Sequence, residues 1–298
     1  MIEGQEDVTW QQWQAIAATA ERAGFDALFR SDHYASVMGV EGRGSLDAWT
    51  TLAGLAAITS RIHLGTLVSP ATFRHPSLLA KAAVTVDHIS GGRVELGIGA
   101  GWLESEHRAY GFPFHDMRTR PAVFREQIEI VHRSWKPGPF SFEGEHYRIE
   151  NLDALPKPVQ QPHPTLIVGG RGGRGTIEPA ARWADEYNTF SASVDEVRER
   201  RARFAEAWER EGRDPAELRF SAMVTIVVGS DESQVRARIE KLGRDPGETG
   251  VAGTVDQVAE RLLELQEAGV QRVMLQHLMH EDLESIELIG SELIPKLS

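Results

Sequence analysis

The pair Asp32-His33 places a carboxylate beside a histidine directly after a predicted strand. An imidazole exchanges a proton near neutral pH, so His33 can act in general acid–base catalysis or in proton transfer linked to a hydride step. The alternative is that this histidine is tied to its neighbour in a structural hydrogen-bond pair. The residues alone leave both interpretations open.

A second group of candidates begins where the apolar run 94–98 ends, because three glycines there replace larger side chains: Gly97, Gly99 and Gly101. Such glycines would let a buried strand bring its backbone against a flat ligand. The next residues add an aromatic ring and four ionisable groups, namely Trp102, Glu104, Glu106, His107 and Arg108. This order is typical of the mouth of a barrel strand, and a glycine-rich turn before an amphipathic helix is the alternative.

The segment 169–175 reads GGRGGRG and leads into a predicted helix. Free backbone N–H groups and two arginines at a helix N-terminus favour an anion such as a phosphate. The segment lacks the lysine and hydroxyl of a P-loop, which disfavours nucleoside triphosphate chemistry. The glycines at 97–101 do not match a dinucleotide fingerprint either, because Trp102 stands where the third spaced glycine belongs.

Composition and missing motifs exclude several other classes of function. The 298 residues include 32 basic and 44 acidic side chains, and the net charge of −12 opposes binding to nucleic acid or an anionic membrane. The sequence contains no cysteine, no zinc-protease motif and no nucleophile elbow. No apolar run has the length of a membrane span and no signal-like start is visible, so we expect a cytoplasmic protein without a metal. A flat, phosphorylated, non-metal cofactor across the strand ends is the interpretation that is left.

The elements that must position these groups alternate between strand and helix about eight times. This pattern predicts a parallel, closed (β/α) barrel with its function at the carboxyl ends of the strands. The predicted strands are 25–29, 62–68, 94–98, 165–168, 186–190, 220–228 and 272–276. The predicted helices are 10–23, 45–60, 77–89, 119–135, 176–184, 194–211 and 255–268.

Two departures from this regular pattern are expected. Segment 136–164 is rich in proline and aromatic residues and contains FSFEGEHYRIE, which alternates like a hairpin, so we predict an insertion that covers one end of the barrel. At the start of the chain, residues 1–3 are all that is visible of a first strand. We therefore expect either a true start upstream of Met1 or a barrel that closes through a short strand with a looser seam.

Six stretches carry a resemblance to a known family: AERAGFDALFRSDH, RIHLGTLVSPATFRHPSLLAKAAVTVDHISGGRVELGIGAGW, EHRAYGFPF, PKPVQQPHPTLIVGG, AARWADEYN and GTVDQVAERLLELQEAGVQRVML. They resemble the bacterial luciferase-like monooxygenase superfamily, and within it the branch that depends on the deazaflavin coenzyme F-420. The resemblance implies one luciferase-like (β/α)8 TIM barrel domain over residues 1–298, with the insertion at 136–164 and a truncated first strand.

The resemblance also implies roles for particular residues. His33 is the candidate proton carrier beside the cofactor ring, and Trp102 is the second candidate catalytic residue. The Leu67–Val68 bond matches a non-proline cis peptide that supports the ring in relatives. The residues implied to hold the ring, its side chain or its phosphate are Asp32, Leu67, Val68, Ala100, Gly101, His107, Tyr110, Gly169, Gly170, Arg171, Gly172 and Gly173.

Two positions depart from the sugar-phosphate dehydrogenases of this family. Those enzymes have a glutamate and a tryptophan where this chain has Trp102 and Val37, which argues against a sugar phosphate as the substrate. Relatives are often dimers, and the tryptophan-bearing helices 10–23 and 45–60 would either supply an apolar face for a homodimer or cover the barrel.

Three functions are open at this point. The first is a coenzyme F-420-dependent oxidoreductase that transfers a hydride between the coenzyme and a small organic substrate. The second is an FMN-dependent monooxygenase that takes reduced flavin from a partner reductase and uses oxygen. The third is a non-catalytic barrel that binds a cofactor. The longer acidic tail of the deazaflavin requires extra basic groups, and the candidates that favour the first function are Arg43, Arg74, Arg171 and Arg174.

Overall fold

The computed structural model describes residues 1–190, 192–243, 246–247 and 250–297. Its strands are β1 (Ala27–Arg30), β2 (His63–Pro70), β3 (Val94–Gly99), β4 (Phe140–Glu143), β5 (Arg148–Leu152), β6 (Thr165–Gly169), β7 (Glu186–Phe190), β8 (Arg219–Gly229), β9 (Val251–Thr254) and β10 (Arg272–Gln276). The main sheet has the order β1-β2-β3-β6-β7-β8-β10, with every pair parallel and β9 added to the end of β8. This is the parallel α/β sheet that the alternating pattern predicts.

The helices alternate with these strands and begin and end where the sequence provides caps. They are α1 (Trp10–Arg22), α2 (Ala48–Ile58), α3 (Pro76–Ser90), α4 (Glu104–Tyr110), α5 (Arg120–Trp135), α6 (Arg174–Trp183), α7 (Val194–Arg210), α8 (Glu232–Leu242), α9 (Val255–Glu267), α10 (Leu283–Leu288) and α11 (Ile294–Leu297). At α1, the hydroxyl of Thr9 accepts from the Gln12 N–H while the Gln12 side chain accepts from the Thr9 N–H. At α3, Gly91 adopts a φ of 67° and ends the helix. Among the described residues, no helix is both long enough and apolar enough to cross a membrane.

Helices cover the outer face of the sheet and its inner face is enclosed by the strands themselves, so the strands are buried on both faces. All six residues of β3 are buried, as expected for a parallel strand between two packed layers. Trp13 of α1 and Trp49 of α2 are 0% and 4% exposed and pack in the main core. These two tryptophans therefore cover the barrel. A smaller cluster on the inner face of the sheet consists of Phe29, Leu67, Ile167 and Met274.

The two edges of the sheet are joined by Ile2. This residue forms parallel bridges to Arg30 after β1 and to His277 after β10. The Ile2 N–H donates to the Phe29 carbonyl at 2.9 Å, and the His277 N–H donates to the Met1 carbonyl at 2.9 Å. Residues 1–2 thus bridge the two edges of the sheet as a very short strand.

A cavity of about 670 Å³ lies along the seam where residues 1–2 join β1 and β10. One wall is the beginning of β1 and the other is β10, and Met1 also borders it. The outer lining includes Leu262 of α9 together with Ile294 and Leu297 of α11. The seam lies at the end of the sheet where the strands begin, away from the predicted site.

The same end of the sheet carries a buried ion cluster. Arg272, the first residue of β10, contacts Glu95 of β3 at 2.7 Å and Glu186 of β7 at 2.9 Å. Both carboxylates are at most 6% exposed. The Ser221 hydroxyl donates a further hydrogen bond to Glu186 at 2.5 Å. One guanidinium therefore balances two carboxylates from two strands across the inside of the barrel.

The insertion at 136–164 takes a different position from the one predicted. Strands β4 and β5 form the expected hairpin, but its turn is held on the side of α5, where Glu126 accepts hydrogen bonds from the backbone of residues 145–147. The following segment packs on α3, where Asp87 accepts from the Val159 N–H at 2.7 Å. The insertion therefore lies along the flank of the barrel over α3 and α5, because these two buried carboxylates bind its backbone there.

Candidate active site

The carboxyl ends of the parallel strands meet at one end of the sheet. We call the residues that follow them the strand-end face: 31–35 after β1, 68–72 at the end of β2, 100–103 after β3 and 170–173 after β6. Parallel pairing aligns strand ends side by side, so residues from distant parts of the sequence lie together here.

Asp32 is a buried anchor of the strand-end face. Its carboxylate accepts from the Ser69 hydroxyl at 2.6 Å and from Arg74 Nη1 at 2.6 Å. Trp49 Nε1 donates to the same serine oxygen at 3.0 Å. The Asp32 side chain is 1% exposed, and its charge is balanced by the guanidinium. Asp32 therefore joins the ends of β1 and β2 and fixes the backbone from which His33 projects.

His33 lies against Glu106 of α4 and not against its sequence neighbour. Its Nδ1 is 2.8 Å from Glu106 Oε2, and its side chain is 12% exposed. Burial lowers the pKa of His33, but the hydrogen bond and the charge of Glu106 outweigh it and raise the pKa above the ordinary 6.5. The imidazole is therefore held where it can carry a proton.

Trp102 lies beside this histidine. The two ring centroids are 5.8 Å apart and the ring planes make an angle of 72°. The indole is 59% exposed, which is unusual for so large an apolar side chain. The two predicted catalytic residues are thus brought together, and Trp102 offers an open aromatic surface next to the histidine.

The Leu67–Val68 peptide bond is cis, as predicted. The Val68 side chain fills the space on the inner side of three glycines. A Cβ at Gly97, Gly99 or Gly169 would come within 3.0 Å of a Val68 methyl group. The expectation that the strand glycines present bare backbone to a flat ligand is therefore wrong for Gly97 and Gly99. They are small because Val68 and, at Gly97, the Thr66 carbonyl already occupy that space.

Ala100 and Gly101 follow β3, and Gly101 lies next to His107. Gly101 adopts a φ of 80°, and a Cβ there would lie 2.6 Å from Thr72 Oγ1. His107 is 1% exposed, with Nδ1 2.7 Å from the Leu103 carbonyl and Nε2 2.6 Å from the Thr72 hydroxyl. Because a carbonyl can only accept, Nδ1 carries a hydrogen, whereas the threonine hydroxyl can either donate to Nε2 or accept from it. The predicted contact of His107 with a phosphate remains a prediction, and the structure shows both of its nitrogens engaged.

Tyr110 belongs to an aromatic cluster at the edge of the strand-end face. Its ring lies 5.1 Å from that of Tyr34 and 5.8 Å from that of Phe112. Phe73 stacks on Tyr34, and the centroids of these two rings are 5.4 Å apart. Tyr110 is 53% exposed, and its hydroxyl lies 3.4 Å from the Tyr34 carbonyl. It is therefore accessible to a ligand at the rim.

The glycine-rich loop after β6 has one closed side and one open side. Gly170 packs against Tyr187 and Thr176, and the Gly172 N–H donates to the Tyr187 hydroxyl at 2.9 Å. At Gly173, the residue before α6, a Cβ would meet nothing within 4 Å. The first N–H groups of a helix have no acceptor within the helix, so the start of α6 offers donors beside open space.

The four arginines that the sequence suggested for an acidic tail are not equivalent. Arg74 is committed to Asp32 and Asp47, and Arg43 lies 2.6 Å from the buried carboxylate of Glu6. Arg174 forms an exposed ion pair with Glu178, a kind of contact that contributes little. Arg171 is exposed and stacks over Phe190 at 5.2 Å. Arg74 and Arg43 are therefore engaged in structural ion pairs, and Arg171 and Arg174 are the accessible pair.

Two residues that meet the predicted site had been given no role from the sequence. Glu106 reaches His33 across 73 positions of the chain, and Thr72 reaches His107 across 35. The charge cluster at 104–108 did contain Glu106, but nothing in its local pattern distinguished it from Glu104. The distinguishing property is burial, because Glu106 is 0% exposed whereas Glu104 pairs with Arg108 at the surface.

The fold and the strand-end face together define an α/β barrel enzyme family with its site at the carboxyl ends of the strands. A family model described as luciferase-like monooxygenase matches residues 2–247. The chain therefore belongs to the luciferase-like monooxygenase family.

Several known proteins are similar over much of the chain. An FMNH2-dependent dimethylsulfone monooxygenase from Pseudomonas putida is 27% identical over 94% of this chain and 86% of its own. An F-420-dependent hydroxymycolic acid dehydrogenase from Mycobacterium tuberculosis is 31% identical over 75% of this chain and 61% of its own. The coenzyme F-420-dependent tetrahydromethanopterin reductase from Methanopyrus kandleri has the same fold, with a TM-score of 0.83, 21% identity, and coverage of 100% of this chain and 98% of that one.

Proposed function

We propose that this protein is a coenzyme F-420-dependent oxidoreductase that acts on a small organic substrate. The observation that carries the proposal is the contact between His33, whose ring is hydrogen-bonded to the buried Glu106, and the exposed indole of Trp102 at the strand-end face. A hydride transfer to a carbonyl or similar group needs one proton on the neighbouring atom, and a histidine that favours its charged form can supply it.

The strand-end face fits a flat ring with a phosphorylated, acidic tail. The cis Leu67–Val68 segment, with Ala100 and Gly101 after β3, would support the ring. The open backbone at Gly173 and the first turn of α6 would hold a phosphate. Arg171 and Arg174 would meet the acidic tail, since neither is committed to a buried carboxylate.

The bound coenzyme would supply a hydride, and with it both electrons, from its central ring carbon. The residues of this chain would do the remaining work. Asp32, tied to Ser69 and Arg74, keeps the backbone of His33 in place. His33 delivers the balancing proton to the substrate and regains one from solvent afterwards. Trp102 covers one side of the histidine ring.

A second candidate function is an FMN-dependent monooxygenase supplied by a flavin reductase. It is favoured by the relative from Pseudomonas putida, which is named as FMNH2-dependent and is matched over 94% of this chain. The F-420-dependent dehydrogenase relative is slightly more identical but is matched over 75% of this chain. The two candidate functions would use the same barrel. They differ in the tail of the cofactor, which is longer and more acidic in coenzyme F-420, and in whether the reaction uses oxygen.

The test is a pair of titrations of the purified protein with oxidised coenzyme F-420 and with FMN, followed by tryptophan fluorescence. We expect micromolar binding of the deazaflavin, weaker binding of FMN, and loss of most of the fluorescence change in Trp102→Phe. An anaerobic screen of carbonyl compounds with the reduced coenzyme then identifies the substrate. Tighter binding of FMN, with oxygen consumption in the presence of a flavin reductase, would establish the monooxygenase instead. Binding of either cofactor with no turnover under either condition would leave the non-catalytic barrel.

A further inference from the structure

We propose that Glu106 is the positioning residue of this site: it fixes one ring orientation of His33 and holds that ring in its charged form, so that His33 donates a proton to the substrate. This inference rests on the proposed function for the fate of the proton. Its geometric part concerns residues of this chain alone and can be tested without any cofactor.

The contact fixes which nitrogen of His33 faces outward. Glu106 Oε2 lies 2.8 Å from Nδ1, and a carboxylate can only accept, so Nδ1 carries a hydrogen. Among the described residues, Nε2 has no protein partner. Nε2 is therefore the nitrogen that meets a substrate, and the ring cannot flip without breaking a hydrogen bond to a buried charge.

The surroundings of Glu106 keep it ionised. Its side chain is 0% exposed, and its second oxygen accepts from the backbone N–H groups of Tyr34 and of Ala35, the latter at 2.9 Å. Burial alone raises the pKa of Glu106, but His33 and these two N–H groups lower it overall. Glu106 thereby also ties α4 to the segment that carries the histidine.

A buried carboxylate requires a positive partner. Within the part of the chain that the structure describes, the hydrogen-bond partners of Glu106 are His33 and two uncharged backbone groups. A neutral imidazole would leave the Glu106 charge buried and unbalanced, which is costly. The charged form of His33 is therefore the form that the fold stabilises.

The other charged groups near His33 act in the same direction. Glu3 at the start of the chain and Asp32 on the neighbouring position both favour the charged imidazole, and the side of Trp102 is uncharged. Burial of the ring is the largest single influence and lowers the pKa of His33, so removal of the hydrogen bond and charge of Glu106 should lower that pKa. The state of His33 therefore depends on this one carboxylate.

The sequence offers a matched control two positions away. Glu104 lies on the same helix but is exposed and pairs with Arg108 at the surface. Glu106→Gln and Glu104→Gln remove the same charge from α4, and the glutamine at 106 can still accept from the Tyr34 and Ala35 N–H groups. If loss of a negative charge from α4 were enough to change the titration of His33, both variants would show the change. If the contact of Glu106 with His33 is the cause, only Glu106→Gln would show it.

The first measurement is the pH titration of the His33 ring by NMR in the cofactor-free protein, assigned by comparison with His33→Asn. We expect the midpoint to lie above 6.5 in the native protein and in Glu104→Gln, and below 6.5 in Glu106→Gln. A native midpoint at or below 6.5 overturns the proposal without any need for a folded variant. An unchanged midpoint in a folded Glu106→Gln protein overturns it as well.

The second measurement uses the coenzyme-loaded protein once a substrate is known. We expect the pH profile of kcat to move to lower pH in Glu106→Gln, while the Kd of the coenzyme stays within twofold. A uniform fall in kcat at every pH, with no shift of the profile, would mean that Glu106 supports only the fold. If no coenzyme binds, the proposed function fails, while the titration of His33 still decides the role of Glu106.

Discussion

The rings of His33 and Trp102 meet edge to face, with centroids 5.8 Å apart and an interplanar angle of 72°. One ring is mostly buried, with its pKa raised by the hydrogen bond and charge of Glu106 against the effect of burial, and the other ring is 59% exposed. A protonated imidazole quenches the fluorescence of a neighbouring indole, so the fluorescence of Trp102 can report the protonation of His33. This relationship makes the candidate site visible by spectroscopy before any substrate is known.

Removal of the imidazole should separate chemistry from binding. We expect His33→Ala to lower turnover by about 10²- to 10⁴-fold, because a positioned proton carrier contributes about that much. Coenzyme affinity should change little, since Asp32 keeps the surrounding backbone in place. Steady-state kinetics and fluorescence titration measure the two effects. The surface variant His88→Ala serves as the control, and equal turnover in the two variants would exclude His33 as the proton carrier.

The strand glycines Gly99 and Gly97 should be intolerant of side chains for two different reasons, which can be distinguished by experiment. At Gly99 an added Cβ would lie 2.6 Å from Val68 Cγ2, so Gly99→Ala should destabilise by about 1–3 kcal/mol. The second change Val68→Ala should recover part of that loss. Gly97→Ala should not be rescued, because its Cβ would lie 2.0 Å from the backbone carbonyl of Thr66.

Urea denaturation of the single and double variants tests this distinction. Gly44→Ala is the control, since a Cβ there meets nothing within 4 Å and the change should be nearly neutral. Equal rescue of both glycine variants by Val68→Ala would contradict the assignment.

The ion cluster at the opposite end of the sheet should dominate acid stability. Burial raises the pKa of Glu95, but His63 and Arg272 lower it to about 2. A folded pKa below the ordinary 4.5 means that this stabilisation is complete above pH 4.5 and is lost as the pH falls towards 2. Burial raises the pKa of Glu186, so its protonation in acid partly offsets the loss. Thermal unfolding measured at intervals from pH 7 to pH 3 gives the net change in stability. A fall in the melting temperature below pH 4.5 is the expected result.

Removal of the shared guanidinium should be costly at neutral pH. Arg272→Met leaves two buried carboxylates facing each other, and we expect a loss of about 3–5 kcal/mol in the free energy of unfolding. Arg203→Met breaks an exposed pair with Glu199 and should cost no more than about 0.5 kcal/mol. The Arg272 deficit should shrink below pH 4.5, where carboxylates become protonated. A deficit of the same size at all pH values would mean that Arg272 acts through packing alone.

The accessible arginines should distinguish the two cofactors. The double variant Arg171→Ala and Arg174→Ala should weaken binding of coenzyme F-420 about tenfold, or on the order of 1.4 kcal/mol, and leave FMN nearly unchanged. The reason is that the deazaflavin carries a longer acidic tail. Arg203→Ala, on the exposed face of α7, is the control. An equal loss for both cofactors would assign these arginines to the phosphate that the two share.

Much of the architecture could be predicted because hydrophobic runs are a local property. The strands predicted at 186–190 and 272–276 match β7 and β10, and the capping box at Thr254 begins α9 as expected. Short elements were missed where the local pattern is weak. The segment α4 spans seven residues with three charged groups in its first five, and β9 has four residues with a glycine among them.

The residues of the site that could be predicted from the sequence are those that directly follow a predicted strand. His33 and Trp102 follow predicted strands, so a barrel topology brings them to one face. Glu106 could not be distinguished from Glu104, because their difference in burial depends on which side of α4 meets the 31–35 segment. The strand glycines were assigned to a ligand because a sequence does not show which side chain, here Val68, fills the space beside them.

The joining of Ile2 to both Arg30 and His277 has a consequence for synthesis on the ribosome. The ring of strands is completed by contacts between residues 1–2 and residue 277, and residue 277 is synthesised long after residues 1–2. Contacts of such long sequence separation form late because the loop between them must first be closed. While the chain is growing, the nascent protein therefore has an open sheet with two uncovered edges, which is the form most exposed to aggregation and to chaperones.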